Sequence, residues 1–220
     1  MNLQITVPES LSEITLEQYQ KFDKINTEDN QDTNFLFHKT VEIFCNLDFK
    51  DIAKIRLSSV KDVLQQIDNV FGQKPKFQPT FKHNGIKYGF IPEIDDMSLG
   101  EFIDLDENIT DWATMHRAMS VLYRPVTLTK GDKYLIEEYK GIQTADQMRS
   151  MPLDIAMGAM VFFWMLNSEL LEVILNYLDK EMEQKLTLQQ KETLEKNGVG
   201  ISHFMSLVEE MLPNMMLLQE

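Results

Sequence analysis

The residues best suited to metal binding or acid–base chemistry are four histidines, one cysteine and a run of carboxylates. The histidines, His38, His83, His116 and His203, lie too far apart in the sequence to share a helical turn or a hairpin. Protein zinc sites combine closely spaced Cys and His ligands, and the single Cys45 forms no such pair. The sequence therefore predicts no metal site and a structural or surface role for each histidine.

One acidic motif, Asp104-x-Asp106-x-Asn108, resembles the opening of a calcium-binding loop. The match then ends, because Ile109 occupies the glycine position and Met115 occupies the position of the bidentate glutamate. The chain also lacks a glycine-rich phosphate loop and a Gly-x-Ser-x-Gly motif. We therefore expect no catalytic residues, no cofactor and a chain that is not an enzyme.

The segment from Pro92 to Asp111 is unusual in charge, since it contains eight acidic residues and no Lys or Arg. Carboxylates buried together would repel one another, so we expect this segment on the surface, facing solvent or a basic partner. Its candidate partner-binding residues are Asp95, Asp96, Glu101 and Asp104.

Methionine is concentrated in the C-terminal third, which holds most of the fourteen in the chain. Flexible, polarisable Met side chains suit surfaces that adapt to apolar partners, although plain core packing would use the same residues. The apolar C-terminal stretch is the second candidate binding region, and we expect deletion of residues 213–220 to weaken association while the fold persists. Its candidate residues are Met211, Met215, Met216, Leu217 and Leu218.

The overall charge limits the kinds of partner. The formal net charge is -14 and the isoelectric point is about 4.7, so nucleic acid and anionic lipid are repelled and neither is expected as a direct partner. The uncharged run from Ile155 to Ser168 is shorter than the roughly 20 residues of a membrane span and predicts a buried helix. The lone cysteine fits a reducing compartment, and the start of the sequence does not resemble a secretory signal.

Hydrophobic periodicity predicts mostly helices around these residues. Asn84-Gly85 between two apolar runs predicts a β-hairpin, because both residues tolerate the positive φ of a type I′ turn. The predicted fold is mainly α, with one small β-hairpin near residues 80–91. Residues 1–75 would form an N-terminal helical region and residues 76–220 a hairpin plus helical region, packed into one compact unit. Capping boxes formed by Thr15 with Gln18 and by Ser98 with Glu101 predict two helix starts. Further predicted helices cover Phe35–Cys45, Ser59–Phe71 and Thr110–Tyr123, and another begins near Thr144. The last three run from Pro152 to about Met182 and cover Thr187–Lys196 and Ser202–Leu212.

Several short apolar and acidic stretches follow one another in a characteristic order. They are Pro8 with Ile14–Tyr19, Ile91-Pro-Glu-Ile-Asp-Asp-Met-Ser-Leu-Gly-Glu-Phe-Ile-Asp-Leu-Asp106, Met119–Pro125, and Met151–Ala159 with Phe162-Phe163. Together they resemble a family of small tailed-phage proteins that are encoded among the structural genes and described as tail-assembly chaperone-like. The likeness covers roughly residues 8 to 170 and points to phages of the crAss-like group.

The resemblance implies a non-enzymatic role in virion morphogenesis, through binding of other phage structural proteins during tail or neck assembly. It places the protein in the cytoplasm of the bacterial host during assembly. A component retained in the virion, a homo-oligomer, an unrecognised enzyme and a host regulatory binding protein remain open as alternatives.

Overall fold

The computed structural model describes residues 5–30 and 33–166. Residues up to Ala159 belong to one compact unit, and residues from Met160 onward belong to a second unit. In the second unit the described residues, 160–166, are helical. All elements below belong to the first unit, and the predicted grouping into residues 1–75 and 76–220 stays a prediction.

Four helices form the N-terminal part of the first unit. The first begins at the predicted capping box, in which Thr15 and Gln18 satisfy each other's backbone N–H groups. Aromatic side chains of these helices pack together, and the centre of the Phe22 ring lies 5.3 Å from that of Phe44 and 6.1 Å from that of Phe71. The helices are α1 (Leu16–Asp23), α2 (Asn34–Cys45), α3 (Phe49–Ile52) and α4 (Leu57–Phe71).

A four-stranded antiparallel sheet follows, with its strands in sequence order. The predicted hairpin is confirmed, and its turn residues Asn84 and Gly85 have φ values of 48° and 78°. A second hairpin turns at Gly131, where φ is 61°. The strands are β1 (Thr80–His83), β2 (Ile86–Phe90), β3 (Tyr123–Lys130) and β4 (Lys133–Ile136).

The prediction of a mainly α protein with a single small hairpin is therefore wrong, because the fold is a mixed α/β one. The predicted helix from Thr110 actually begins at Met115 and ends at Leu122, and β3 starts at the next residue. β3 pairs with β2 through Tyr123 and Phe90, so tertiary pairing sets the conformation of this polar stretch. The polar residues from Thr127 to Lys133 carry only a weak strand signal.

Two further helices, α5 (Leu99–Asp106) and α6 (Met115–Leu122), lie between β2 and β3. The centre of the core is α6, in which Met115, Ala118 and Met119 have no accessible surface. Tyr123 extends this core to the sheet, since its ring contacts Phe81 and Phe90 edge-on at 5.1 Å each. Short 3₁₀ turns cover Leu11–Glu13, Glu28–Asn30, Ile94–Asp96 and Ala145–Ser150.

A seventh helix, α7, covers residues 153–159 of the first unit. Pro152 directly precedes it and forms an antiparallel bridge with Thr15, which joins the start of α7 to the start of α1. The predicted C-terminal end of this helix, near Met182, and the two predicted helices after it lie outside the described residues. In the part of the chain that the structure describes, no helix combines the length and the apolarity that crossing a membrane requires.

Candidate protein-binding surface

Helix α5 lies within the acidic segment and begins at a complete capping box. The Glu101 backbone N–H donates to Ser98 Oγ at 3.3 Å, while Glu101 Oε2 accepts from the Ser98 backbone N–H at 2.8 Å. This reciprocal pair, expected from the Ser-x-x-Glu spacing, fixes the first residue of the helix.

The second carboxylate oxygen of Glu101 binds α5 to the sheet. Glu101 Oε1 lies 2.6 Å from Arg124 Nη2 of β3, where Glu101 is buried and the Arg124 side chain is only 11% exposed. Burial raises the pKa of Glu101, but hydrogen bonds from Ser98 and the Arg124 charge outweigh it and hold this pKa below its ordinary value. The Arg124 guanidinium also lies 5.7 Å from the centre of the Tyr139 ring, and the Tyr139 hydroxyl donates to Asp104. Glu101 and Asp104 are three residues apart, so these charged groups hold one side of α5.

The opposite side of α5 presents large apolar side chains to solvent. Leu99 is 74% exposed, Phe102 57% and Ile103 44%. A helix advances about 100° per residue, so positions i, i+3 and i+4 lie on one side, opposite the buried Glu101 and Leu105. Exposed apolar residues are ordinary when scattered, whereas a contiguous group of them marks an interaction surface. We call Leu99, Phe102 and Ile103 the α5 face.

Acidic residues flank the α5 face along the chain. Six of the eight acids of the segment are exposed, which agrees with the expected surface position. They are Glu93, Asp95, Asp96, Asp106, Glu107 and Asp111.

The candidate residues predicted from the sequence fall into three groups. Asp95 and Asp96 are exposed in the 3₁₀ turn before α5, where a partner can reach them. Glu101 is buried in its ion pair, and the half-buried Asp104 accepts from Tyr139, so both hold α5 in place. The C-terminal candidates lie outside the described residues, and they are Met211, Met215, Met216, Leu217 and Leu218.

Sequence reasoning missed the α5 face itself. The signal was available, because the capping box at Ser98 sets the helix phase and apolar residues then occur on two sides of the helix. Only one of those sides can pack on the core. An amphipathic helix usually turns polar residues to solvent, and α5 departs from that rule.

A second exposed apolar group lies on α2 and α3. Phe35 and Phe49 are exposed and line a shallow pocket with His38, whose ring centre is 5.4 Å from that of Phe49. The nearby Lys39 is already paired with Glu42 at 2.8 Å. Because its aromatic residues are similarly exposed, this group provides control positions for experiments on the α5 face.

Two of the three histidines described by the structure have hydrogen-bond partners, whereas Nδ1 of His38 is buried without one. His116 is buried, with Nδ1 3.1 Å from Gln20 Nε2, and burial followed by the Arg149 charge lowers its pKa. His83 is half-buried with Nε2 2.9 Å from Ser150 Oγ, and its partial burial lowers its pKa as well. Among residues 5–30 and 33–166 no three His, Cys, Asp or Glu side chains group closely enough to hold a metal ion.

Comparisons with known proteins give no match to a family model, to a curated protein or to a solved structure. The surface chemistry of the described residues therefore carries the functional argument.

Proposed function

We propose that this protein acts by binding other proteins through the α5 face during assembly of a tailed-phage particle. The observation that carries the proposal is the exposure of Leu99, Phe102 and Ile103 on one side of a helix whose other side is anchored. Removing one such side chain from water stabilises a complex by about 1.5–3 kcal/mol before ordering costs are subtracted. Because α5 is already ordered, its own ordering adds little to those costs.

The resemblance to tail-assembly chaperone-like proteins supports the same role. Its longest stretch, Ile91 to Asp106, contains the whole of α5. The proposed partners are structural proteins of the same phage, met in the cytoplasm of the bacterial host, with retention in the virion as the alternative. The role is non-enzymatic and uses no cofactor, no nucleic acid and no membrane.

Leu99→Glu in the gene of the phage that encodes this chain tests the proposal. We expect at least about a tenfold loss of infectious particles, with incomplete particles visible by electron microscopy, since a charge replaces an apolar contact worth more than 1.4 kcal/mol. The purified variant should keep its thermal unfolding midpoint, because Leu99 is exposed and an acid suits the first turn of a helix.

The chain offers a closely matched control. Leu57 is also the first residue of a helix, α4, and is 73% exposed against 74% for Leu99. Leu57→Glu should leave particle yield near that of the parent phage. Equal yields from both variants and the parent would rule out the α5 face as the assembly surface.

A further inference from the structure

We infer that the partner segment bound by the α5 face is an amphipathic helix with Lys or Arg at both ends of its apolar stretch. This inference rests on the proposed function and specifies the partner that it requires.

The charges beside the α5 face define the ends of the partner. Asp95 and Asp96 lie exposed before the helix, and Asp106 and Glu107 lie exposed at its end. Among the described residues none of these four carboxylates forms a salt bridge. The eight residues of α5 span about 12 Å, so the acids bracket an apolar stretch of about two helical turns.

The acids at the end of α5 oppose the stability of the helix in the isolated protein. A helix C-terminus has a partial negative charge, which favours Lys or Arg and disfavours Asp or Glu. The last turn of α5 has no basic residue and ends with Asp106, followed by Glu107. A Lys or Arg of a partner would neutralise both these acidic side chains and the negative end of the helix. The two acids therefore favour binding of a basic partner, although they do not stabilise the isolated helix.

The backbone of α5 favours a helical partner over an extended one. Its last carbonyl groups are already engaged, since Leu105 O accepts from the backbone N–H groups of Asn108 and Ile109, and Asp104 O accepts from Asn108 Nδ2 at 2.7 Å. The α5 face therefore offers side chains and no free backbone ladder. An extended peptide would leave its own N–H and C=O groups unpaired there, whereas a helix satisfies them internally. The i, i+3, i+4 ridge of α5 also fits between the side chains of another helix.

Other occupants fit the charge less well. A second copy of this chain would bring the same acids against each other, and polar like-charge contacts disfavour such pairing. Nucleic acid and anionic lipid are repelled by the same carboxylates and by the net charge of -14.

The test is a selection of displayed helical peptides of about 18 residues, about five turns, against the full-length chain. Peptides are counter-selected on Leu99→Glu, which removes the binders of other surfaces. We expect the survivors to combine apolar residues at i, i+3 or i+4 spacing with Lys or Arg at both ends. Survivors that are acidic or neutral, or apolar residues with no helical spacing, would overturn the inference.

Charge neutralisation gives a second readout. The double variant Asp106→Asn/Glu107→Gln should weaken the selected peptides about threefold to tenfold, and added salt should weaken them on the parent chain. Unchanged affinity for the double variant would show that the acids take no part.

The two proposals fail differently. If Leu99→Glu reduces phage yield but the selected helices carry no basic residues, the binding surface stands and the partner chemistry is wrong. If Leu99→Glu leaves phage yield unchanged, the assembly function is wrong, whatever peptides the α5 face selects.

Discussion

Replacing Arg124 with leucine is expected to lower the free energy of unfolding by about 3–5 kcal/mol at neutral pH. Arg124 neutralises the buried carboxylate of Glu101 at 2.6 Å, and loss of one member of a buried ion pair leaves the other charged without a partner. Urea unfolding followed by circular dichroism measures the change. Arg117→Leu is the matched control on the exposed side of α6 and should change stability by less than about 0.5 kcal/mol.

The stability lost in Arg124→Leu should become smaller as the pH falls. The folded-state pKa of Glu101 lies below its ordinary value of 4.5, so the carboxylate stabilises the fold above that pH and this contribution is lost as the pH falls through the folded pKa. Protonated Glu101 no longer needs Arg124, and the difference between the parent and Arg124→Leu should shrink on acidification. A difference that stays constant from neutral to acid pH would contradict the ion pair as the cause.

A double replacement separates the charge from the packing. Glu101→Leu/Arg124→Leu removes both charges and should recover much of the stability lost in Arg124→Leu, because apolar pairs often replace buried ion pairs with little cost. It also removes the capping acceptor of Ser98, so about 1 kcal/mol should remain lost. A double variant no more stable than Arg124→Leu would show that the pair acts through shape alone.

Tyr123→Ala is the second change with a large expected effect. Tyr123 is fully buried between Phe81 and Phe90, and removing an aromatic side chain from such a site costs about 3–5 kcal/mol. Denaturant unfolding should show the lower midpoint together with weaker strand signals, since β3 begins at this residue.

Tyr123→Phe is the conservative partner of that variant. It keeps the ring and removes only the hydroxyl, which donates to Gln78 O at 2.8 Å, so about 1–1.5 kcal/mol should be lost. Equal losses for Tyr123→Phe and Tyr123→Ala would contradict the packing role given to the ring.

Local signals in the sequence predicted the elements that local interactions stabilise. The capping boxes at Thr15 and Ser98 and the Asn84-Gly85 turn all form as predicted. Each of them depends on residues within a few positions of one another, so the sequence pattern contains the whole interaction.

The errors arose where distant parts of the chain decide the structure. β3 forms because Tyr123 pairs with Phe90, which is more than thirty positions away in the sequence, while the polar residues of β3 give only a weak local strand signal. Glu101 likewise resembles the surface acids around it in the sequence, because its partner Arg124 is distant along the chain. Predicting the α5 face requires knowing which of the two apolar sides of α5 packs on the core. Only the tertiary structure shows that.

Photo-crosslinking from the α5 face during infection tests the central claim most directly. A photoreactive phenylalanine analogue replaces Phe102, which is 57% exposed, or in the control Phe49, which is 59% exposed and also lies on a helix. The account predicts that position 102 crosslinks to a structural protein of the phage and that position 49 does not. Crosslinks from position 49 with none from position 102 would contradict it and assign binding to the surface around His38.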